Sequence, residues 1–383
     1  MKCKQSVAIV IFVILSTVGV WIAFPEQAQS KAIRVGYMPI GTPDASAVLE
    51  VGKEIADMLE IDSNLIPFQS GPAMISAYVS GELDVGIIGE APFLSLVNRA
   101  PGKFISINSA LNSYFLQGLV AGKDTPYKNI SDLKGKKLAV PVGSATHLWI
   151  QNLIRTCNMT EKDVNIVNMA AKDAVPALKA GQIDGFAWAV VVGVQAELEG
   201  WGRIINFTGD ATGPGVFSNG MFMCNNHVAA KEFMDKYPKL LQAWEDIYIV
   251  AMQFMMEHPV ATGVRWAKEG GVPAEVYVNA FPCLAPYPYV DANYYGMLDN
   301  MAAFLKKATL PDLPTDLTPF IDGAAASISR KKGIAFRFPS PLYKTRNYLP
   351  GVKYDWGERD IPIKTLLKPY VDELKAKRIG ELN

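Results

Sequence analysis

The chain has 383 residues with a formal net charge of zero; half of its residues are apolar and 19% are charged. This composition is typical of a globular protein with enough chain for two domains, and it excludes the densely basic surface of a nucleic-acid-binding protein. Four cysteines without CxxC spacing and three scattered histidines give no pattern for a metal site or a catalytic triad. We therefore expect no cofactor, no metal, no catalytic residue and no nucleic-acid partner.

The N-terminus has the order of a secretory signal. Lys2 and Lys4 precede an apolar run over residues 7–24, and a stretch with small residues follows. We predict cleavage after Ser30, so that residues 1–30 are removed. The run reaches the ~18 residues of a membrane span, so an uncleaved anchor is the alternative. Either way, the rest of the chain is predicted to be exported to the periplasm or another extracytoplasmic compartment.

The exported part begins with a predicted strand, loop and helix. Apolar residues alternate over residues 33–37, and Pro39 and Gly41 end this strand in a loop. Apolar positions recur at helical spacing over residues 45–59, with Asp44 as the predicted N-cap. This order of elements indicates the first half of an α/β unit.

A short motif occurs twice, as AYVSGELD at residues 77–84 and as ALKAGQID at residues 177–184. Each copy ends a predicted helix at a glycine and leads through an aspartate into an apolar strand; the second of these strands is predicted over residues 183–192. Two such units predict two similar α/β lobes, and the crevice between the lobes is a natural site for a small molecule.

Two strand-like segments, at residues 103–124 and 219–224, are predicted to carry the chain out of the first lobe and back, which makes a hinge. Helical spacing predicts helices at residues 230–257 and 294–307 and a last helix over residues 362–374. The predicted organisation is a signal or anchor at 1–30, the first part of lobe 1 at 31–119, lobe 2 at 120–220, a mainly helical return to lobe 1 at 221–330, and a C-terminal tail at 331–383.

Four stretches occur in order within residues 32–225: IRVGYMPI, SGELDVGIIGEAP, DLKGKKLAVPVGSATH and ALKAGQIDGFAW. They resemble the periplasmic solute-binding proteins for nitrate, taurine and alkanesulfonates that feed ABC importers. The resemblance implies an α/β fold of the type II periplasmic binding proteins, with two lobes joined by hinge strands. It also implies lobes that close on a solute and then dock on a membrane permease.

The loops that open helices in these segments supply candidate ligand contacts, since main-chain N–H groups at helix N-termini suit an oxyanion. The candidate ligand-binding residues are Thr42, Gln69, Ser70, Gly71, Glu90, Ala91, Ser144, Thr146, His147 and Trp188. Ser144 and Thr146 are equally typical of an N-cap, His147 of a structural histidine and Trp188 of a core residue. Glu90 would repel an oxyanion, so it either accepts an ammonium group, as in a zwitterion such as taurine, or faces solvent. A glycine-rich run at residues 208–215 is either a flap over the crevice or a surface loop.

The sequence thus predicts the extracytoplasmic solute-binding component of an ABC importer. Its expected partners are a small anionic or zwitterionic solute, of the taurine, alkanesulfonate or nitrate class, and a membrane permease. One alternative is a periplasmic sensor domain for the same solutes. Another is a binder or a synthase of a thiamine-pyrimidine precursor; those synthases resemble the family in fold but carry a cysteine-rich motif that this chain lacks.

Overall fold

The structure is a computed structural model that describes residues 31–42, 46–113, 117–208, 223–281, 288–336 and 354–381. The predicted signal, Asp44, Cys283 and residues 209–215 of the glycine-rich run lie outside these ranges. The contacts divide the chain after Lys31, and the unit Ala32–Asn383 contains all the elements named below. No helix within the described ranges combines the length and the apolar character that a membrane span needs.

The described residues form both strands and helices as far as residue 230 and are mainly helical afterwards. The strands are β1 Ile33–Tyr37, β2 Ser63–Pro67, β3 Val85–Gly89, β4 Phe104–Ser113, β5 Gln117–Gly122, β6 Lys137–Val140, β7 Asn165–Asn168, β8 Gly185–Ala189, β9 Gly202–Phe207 and β10 Met223–Ala230. The α-helices are α1 Ala47–Met58, α2 Gly71–Val79, α3 Glu90–Arg99, α4 Ala145–Thr156, α5 Ala171–Lys179, α6 Val190–Leu198, α7 Lys231–Lys236, α8 Pro238–Glu257, α9 Pro259–Gly270, α10 Ala274–Ala280, α11 Ala292–Ala308, α12 Ala324–Lys331 and α13 Ile363–Ala376.

Two five-stranded sheets share one plan. Their strand orders are β2-β1-β3-β10-β4 in the first sheet and β7-β6-β8-β5-β9 in the second. The first three strands of each order are parallel, and β10 or β5 runs antiparallel to both of its neighbours. The chain enters the second sheet between β4 and β5 and returns between β9 and β10. The predicted α/β architecture of two similar halves is confirmed, whereas the residue limits of the two lobes stay a prediction.

The repeated motif has the same structural role in both sheets. Gly81 and Gly181 follow their helices with φ values of 77° and 68°, which glycine adopts without steric cost. Asp84 then accepts the main-chain N–H of Arg34 on β1, and Asp184 accepts that of Lys137 on β6, both at 2.9 Å. Each aspartate therefore ties the strand that follows it to the neighbouring parallel strand of its own sheet.

Helix α8 organises the helical part of the molecule. It packs against α1, α9, α12 and α13. Its side chains Met252 and Met255 are fully buried, so these methionines belong to the core. The buried carboxylate of Asp246 accepts hydrogen bonds from Ser329 Oγ at 2.6 Å and from the Gly380 N–H at 2.9 Å. The C-terminal tail is thus anchored on α8.

Among the element limits that differ from the sequence-based expectation, two have a clear physical cause. Helix α6 begins at Val190, inside the apolar run that was predicted as a strand up to residue 192. A short run of buried apolar residues has no alternation, so its periodicity does not distinguish a strand from a helix. The helix predicted over residues 230–257 is interrupted at Tyr237, because Pro238 has no N–H to continue a helix but is favoured at the start of one.

Candidate functional site

A cavity of about 40 Å³ lies where strands of both sheets end. On the side of the first sheet it is lined by Met38, Gly41, Thr42, Gly71, Gly89, Pro92 and Asn225. On the side of the second sheet it is lined by Gln117, Ser144, Ala145, Thr146, Trp188 and Ala189. Since one water needs about 10–15 Å³ of such space, the cavity can admit more than one water-sized group.

Four helices begin at this cavity. Gly71 is the first residue of α2, Pro92 lies in the first turn of α3, Ala145 is the first residue of α4, and Ala189 precedes α6. The first turn of a helix leaves main-chain N–H groups without intrahelical partners, and the aligned peptide dipoles give this end partial positive charge. Four helix N-termini around one cavity create a positive potential without any basic side chain.

Small residues bring these helix ends together. A Cβ at Gly71 would lie 2.5 Å from Pro92 Cγ, which is too close, so only glycine lets α2 approach α3. A Cβ at Gly89 would lie 3.4 Å from the Cβ of Ala145, which shows how closely the ends of β3 and α4 face each other. Larger side chains at these positions would push apart the walls of the cavity.

The polar side chains of the cavity occur in hydrogen-bonded pairs. Asn225 Nδ2 donates to Thr42 Oγ1 at 2.7 Å, and Thr146 Oγ1 donates to Gln117 Oε1 at 2.6 Å. Within the described ranges the hydroxyl hydrogen of Thr42 and the amide hydrogens of Gln117 have no acceptor, so they are available as donors for a bound group. The lining residues that the structure describes carry no charge, so the polarity of the site comes from hydroxyl, amide and main-chain groups.

Ser144 combines two roles that the sequence left open. Its Oγ accepts the main-chain N–H of His147 at 3.2 Å, as an N-cap does, and donates to the carbonyl of Pro141 at 2.6 Å. The same residue also lines the cavity. The N-cap hydrogen bond fixes the first turn of α4, which carries Ala145 and Thr146 to the cavity wall.

The structure brings only some of the predicted site residues to the cavity. Thr42, Gly71, Ser144, Thr146 and Trp188 line it; Gln69, Ser70, Glu90, Ala91 and His147 are not among the lining residues. The ring of His147 accepts the N–H of Gly143 through Nδ1 at 3.2 Å, and burial lowers its pKa. Gln69 is exposed, and Ser70 stands at the N-cap position of α2 without a side-chain capping bond.

Glu90 is fully buried beside the cavity wall. Burial raises the pKa of its carboxyl group to about 8, although hydrogen bonds from main-chain N–H groups of Glu90 and Cys224 oppose this shift. Its Oε1 atom has no hydrogen-bond partner among the residues that the structure describes. A carboxyl group with this pKa is mostly uncharged at pH 7, so Glu90 does not oppose an anion in the neighbouring cavity.

Gln117 and Asn225 are functional candidates that the sequence analysis missed. Gln117 is the first residue of β5, and Asn225 lies near the start of β10, so each follows a passage of the chain between the sheets. Neither belongs to a loop that opens a helix, which was the signal used to select candidates. A usable signal would have been a polar side chain just after each predicted crossing.

Comparisons with known proteins point to one family. A model of the family described as NMT1/THI5 like matches residues 61–262, more than half of the chain. A putative binding protein of Brucella abortus (strain 2308) is 28% identical over 171 residues, 44% of this chain and 52% of that protein. The chain therefore spans about half the length of this relative. The taurine-binding periplasmic protein of Escherichia coli (strain K12) is 27% identical over 241 residues, 62% of this chain and 70% of that protein.

A solved structure shares the fold. The alkanesulfonate-binding protein SsuA from Xanthomonas axonopodis pv. citri, bound to MOPS, matches with a TM-score of 0.63 at 18% identity. The match covers 76% of this chain and 97% of that chain. The predicted fold of the periplasmic binding proteins is confirmed, and this chain has additional residues that the neighbour lacks.

Proposed function

The chain belongs to the NMT1/THI5-like family, and from this premise we propose that it is the extracytoplasmic solute-binding component of an ABC importer. It captures a small solute in the cavity between its two sheets and delivers it to a membrane permease. It binds the solute without converting it, since the lining residues that the structure describes offer hydrogen-bond donors and include no nucleophile paired with a base. The relatives named for taurine binding and for alkanesulfonate binding support this proposal.

The observation that carries the proposal is the convergence of four helix N-termini on an uncharged cavity. Such a site stabilises an anion through main-chain N–H groups and dipoles and leaves no net charge when the anion departs. Reversible capture suits a protein that must release its solute. A sulfonate head group has three oxygens that can accept bonds from Thr42, Gln117 and the first turns of the helices.

The apolar part of the cavity indicates a solute with a short carbon chain. Met38, Pro92 and the ring of Trp188 supply apolar surface beside the polar groups. Apolar walls combined with a few placed polar groups are typical of sites for small organic ligands. Because the Glu90 carboxyl group lies outside the lining and is mostly uncharged at pH 7, we propose a preference for alkanesulfonates over the zwitterion taurine.

Isothermal titration of the exported protein with ethanesulfonate, taurine and nitrate tests the function. Thr146→Val removes the hydroxyl group that donates to Gln117 Oε1 and thereby orients the Gln117 amide towards the solute. Ethanesulfonate binding should weaken by about tenfold or more, because a misplaced amide loses its bond to the charged head group, and such a bond contributes about 1.5–3 kcal/mol. Thr156→Val is the matched control, because Thr156 lies on the same helix but is exposed and bonds only to the Leu153 carbonyl in the described structure.

Three outcomes decide the proposal. Binding of ethanesulfonate by the wild type and by T156V, with weaker binding by T146V, supports the site and the function. Equal affinity of both variants would place the solute elsewhere. No binding of any solute in the panel by the wild type would contradict the proposed solute class.

Export is part of the proposal and has its own measurement. We propose that residues 1–30 direct the chain across the membrane and are then removed. The intact mass of the protein recovered from the exported fraction should correspond to residues 31–383. A mass that retains the apolar run would instead favour an anchored protein, as a membrane-bound sensor requires.

A further inference from the structure

Trp188 makes two different contacts at the cavity. The residue lines the wall at the end of β8, and its Nε1–H donates a hydrogen bond of 2.7 Å to the carbonyl oxygen of Ile40, in the loop after β1. Strand β8 belongs to the second sheet and β1 to the first. One side chain therefore joins the two sheets and also contacts the space that a solute would fill.

The loop that receives this bond is also held from its other side. Trp266 on α9 donates its Nε1–H to the carbonyl oxygen of Pro39, likewise at 2.7 Å. Helix α9 packs against α1, which follows the same loop in the chain. Two indole groups thus hold consecutive carbonyl groups of one loop, and only the bond from Trp188 comes from the second sheet.

The residues next to these two carbonyl groups belong to the cavity. Gly41 and Thr42 line it, and Thr42 accepts the hydrogen bond from Asn225. The position of the loop relative to Trp188 therefore sets the width of the cavity between Thr42 and the indole ring. A hydrogen bond of this kind is lost when donor and acceptor separate by much more than about 3.2 Å, so a modest opening of the cavity breaks it.

We propose that Trp188 is a latch that couples occupation of the cavity to closure of the two sheets around it, an inference that rests on the proposed function. A solute packed against the indole ring holds the ring in the orientation in which Nε1 faces the Ile40 carbonyl. The solute then favours the closed arrangement, because a ligand shifts a conformational equilibrium by its differential affinity for the two states. Trp188 acts as a positioning residue for closure.

Trp188→Phe tests the latch, since it keeps an aromatic wall but removes the N–H donor. Affinity for ethanesulfonate should fall by about 5- to 30-fold, as expected when a partly buried carbonyl loses its partner. Small-angle scattering should show a smaller decrease in the radius of gyration of W188F than of the wild type at equal fractional saturation. If Trp188 only stabilised the fold, W188F would show the same solute-induced decrease in the radius of gyration as the wild type.

Trp266→Phe is the matched control. It removes an equally long bond to the neighbouring carbonyl of the same loop, and it should lower the melting temperature while the solute-induced decrease in radius remains that of the wild type. If W188F compacts as much as the wild type at equal saturation, the latch is refuted. Should W188F fail to fold, Trp188→Met also lacks the donor and fills much of the same space with a flexible side chain.

The same variants separate the latch from the proposed function. If the wild type binds none of the solutes, the solute class is wrong, and the latch is judged from the proteins without solute. In that case a larger radius of gyration for W188F than for the wild type and W266F supports the latch. Equal radii of all three proteins overturn it.

Discussion

Glu90 shows how a carboxyl group can lie beside the cavity without placing a negative charge there. It follows Gly89, which lines the cavity, and its own side chain is almost completely excluded from solvent. Desolvation disfavours the charged form, and this effect outweighs the two main-chain hydrogen bonds that favour it. The result is a group that keeps its proton at neutral pH and adds no negative charge near the helix N-termini.

The raised pKa of Glu90 predicts a pH dependence of stability. Between about pH 4.3, the pKa in an unfolded chain, and pH 8, the folded protein holds a proton that the unfolded chain has released, so stability falls as pH rises through this window. Glu90→Gln removes this dependence. Relative to E90Q, the wild type should lose up to about 1.4 kcal/mol of unfolding free energy per pH unit between pH 5 and 7.5.

Urea unfolding at several pH values measures this difference. Glu82→Gln, which changes an exposed carboxylate nearby in the chain, is the control and should give a pH profile parallel to that of the wild type. A parallel profile for E90Q as well would show that Glu90 is ionised in the folded protein.

The two aspartates of the repeated motif predict unequal losses of stability. Asp84 accepts the main-chain N–H of Arg34 and also pairs with its guanidinium group at 2.7 Å, whereas Asp184 accepts the N–H of Lys137 and the hydroxyl group of Tyr127. Both carboxylates are charged acceptors, but Asp84 also accepts two hydrogen bonds from a guanidinium cation, and such paired bonds between two charged groups are the stronger kind. Asp84→Asn should therefore cost about 1.5–3 kcal/mol and Asp184→Asn about 0.5–1.5 kcal/mol in urea unfolding. Equal losses of unfolding free energy in the two variants would mean that the ion pair with the half-exposed Arg34 side chain contributes little to stability.

At the scale of the elements, the structure separates what local sequence signals predict from what they do not. The start of α4 was predictable because a small polar residue at Ser144 followed a strand-like run, and the N-cap bond depends only on nearby residues. The start of α6 was not predictable, because the run from Phe186 to Val192 is buried both before and after the boundary between β8 and α6. In such a run tertiary packing decides between strand and helix.

The residues of the candidate site divide in the same way into those that local sequence signals predict and those that they do not. Ser144 and Thr146 were found because a loop that opens a helix is a local signal. Gln117 and Asn225 reach the cavity only because β5 and β10 insert antiparallel into sheets whose other strands come from distant parts of the chain. Pairings over such distances leave no pattern in a single sequence, so the polar residues that they position were missed.

Helix α13 illustrates how the tail contributes to stability. Leu367, Val371 and Leu374 are buried on one face of this helix, which packs against α1, α8 and α9. Leu367→Ala should lower the unfolding free energy by about 2–5 kcal/mol, the usual cost of a leucine-sized cavity. Leu366→Ala is the control; this side chain is only partly buried, so its loss should be clearly smaller.

Urea unfolding of both leucine variants tests the docking of the tail. Because α13 lies away from the cavity residues in the chain and packs on other helices, solute affinity should remain that of the wild type in both. If L367A costs no more than L366A, the tail does not unfold together with the remainder of the protein.

At the scale of the whole molecule, several contacts join the two sheets apart from any solute. Gly143 on the second side approaches Pro72 on the first so closely that a Cβ would lie 3.4 Å from the proline ring. Farther out, the guanidinium group of Arg155 on α4 lies 5.1 Å from the ring centre of Phe304 on α11, and α11 packs against α3 and β10. Such a contact contributes about 0.5–1 kcal/mol at an exposed position, so it favours closure without enforcing it.

Because such contacts are weak, we expect binding of the solute to determine whether the two sheets close around the cavity. The two sheets are linked by two passages of the chain, which permits rotation about them, and the contact between Arg155 and Phe304 is weak. Saturating ethanesulfonate should therefore decrease the radius of gyration of the wild type in small-angle scattering. T146V should show the same decrease only at a concentration about tenfold higher or more, because it binds the solute more weakly but retains the contacts between the sheets. A radius that does not change under saturating solute would contradict closure and would indicate that the walls of the cavity do not move when the solute binds.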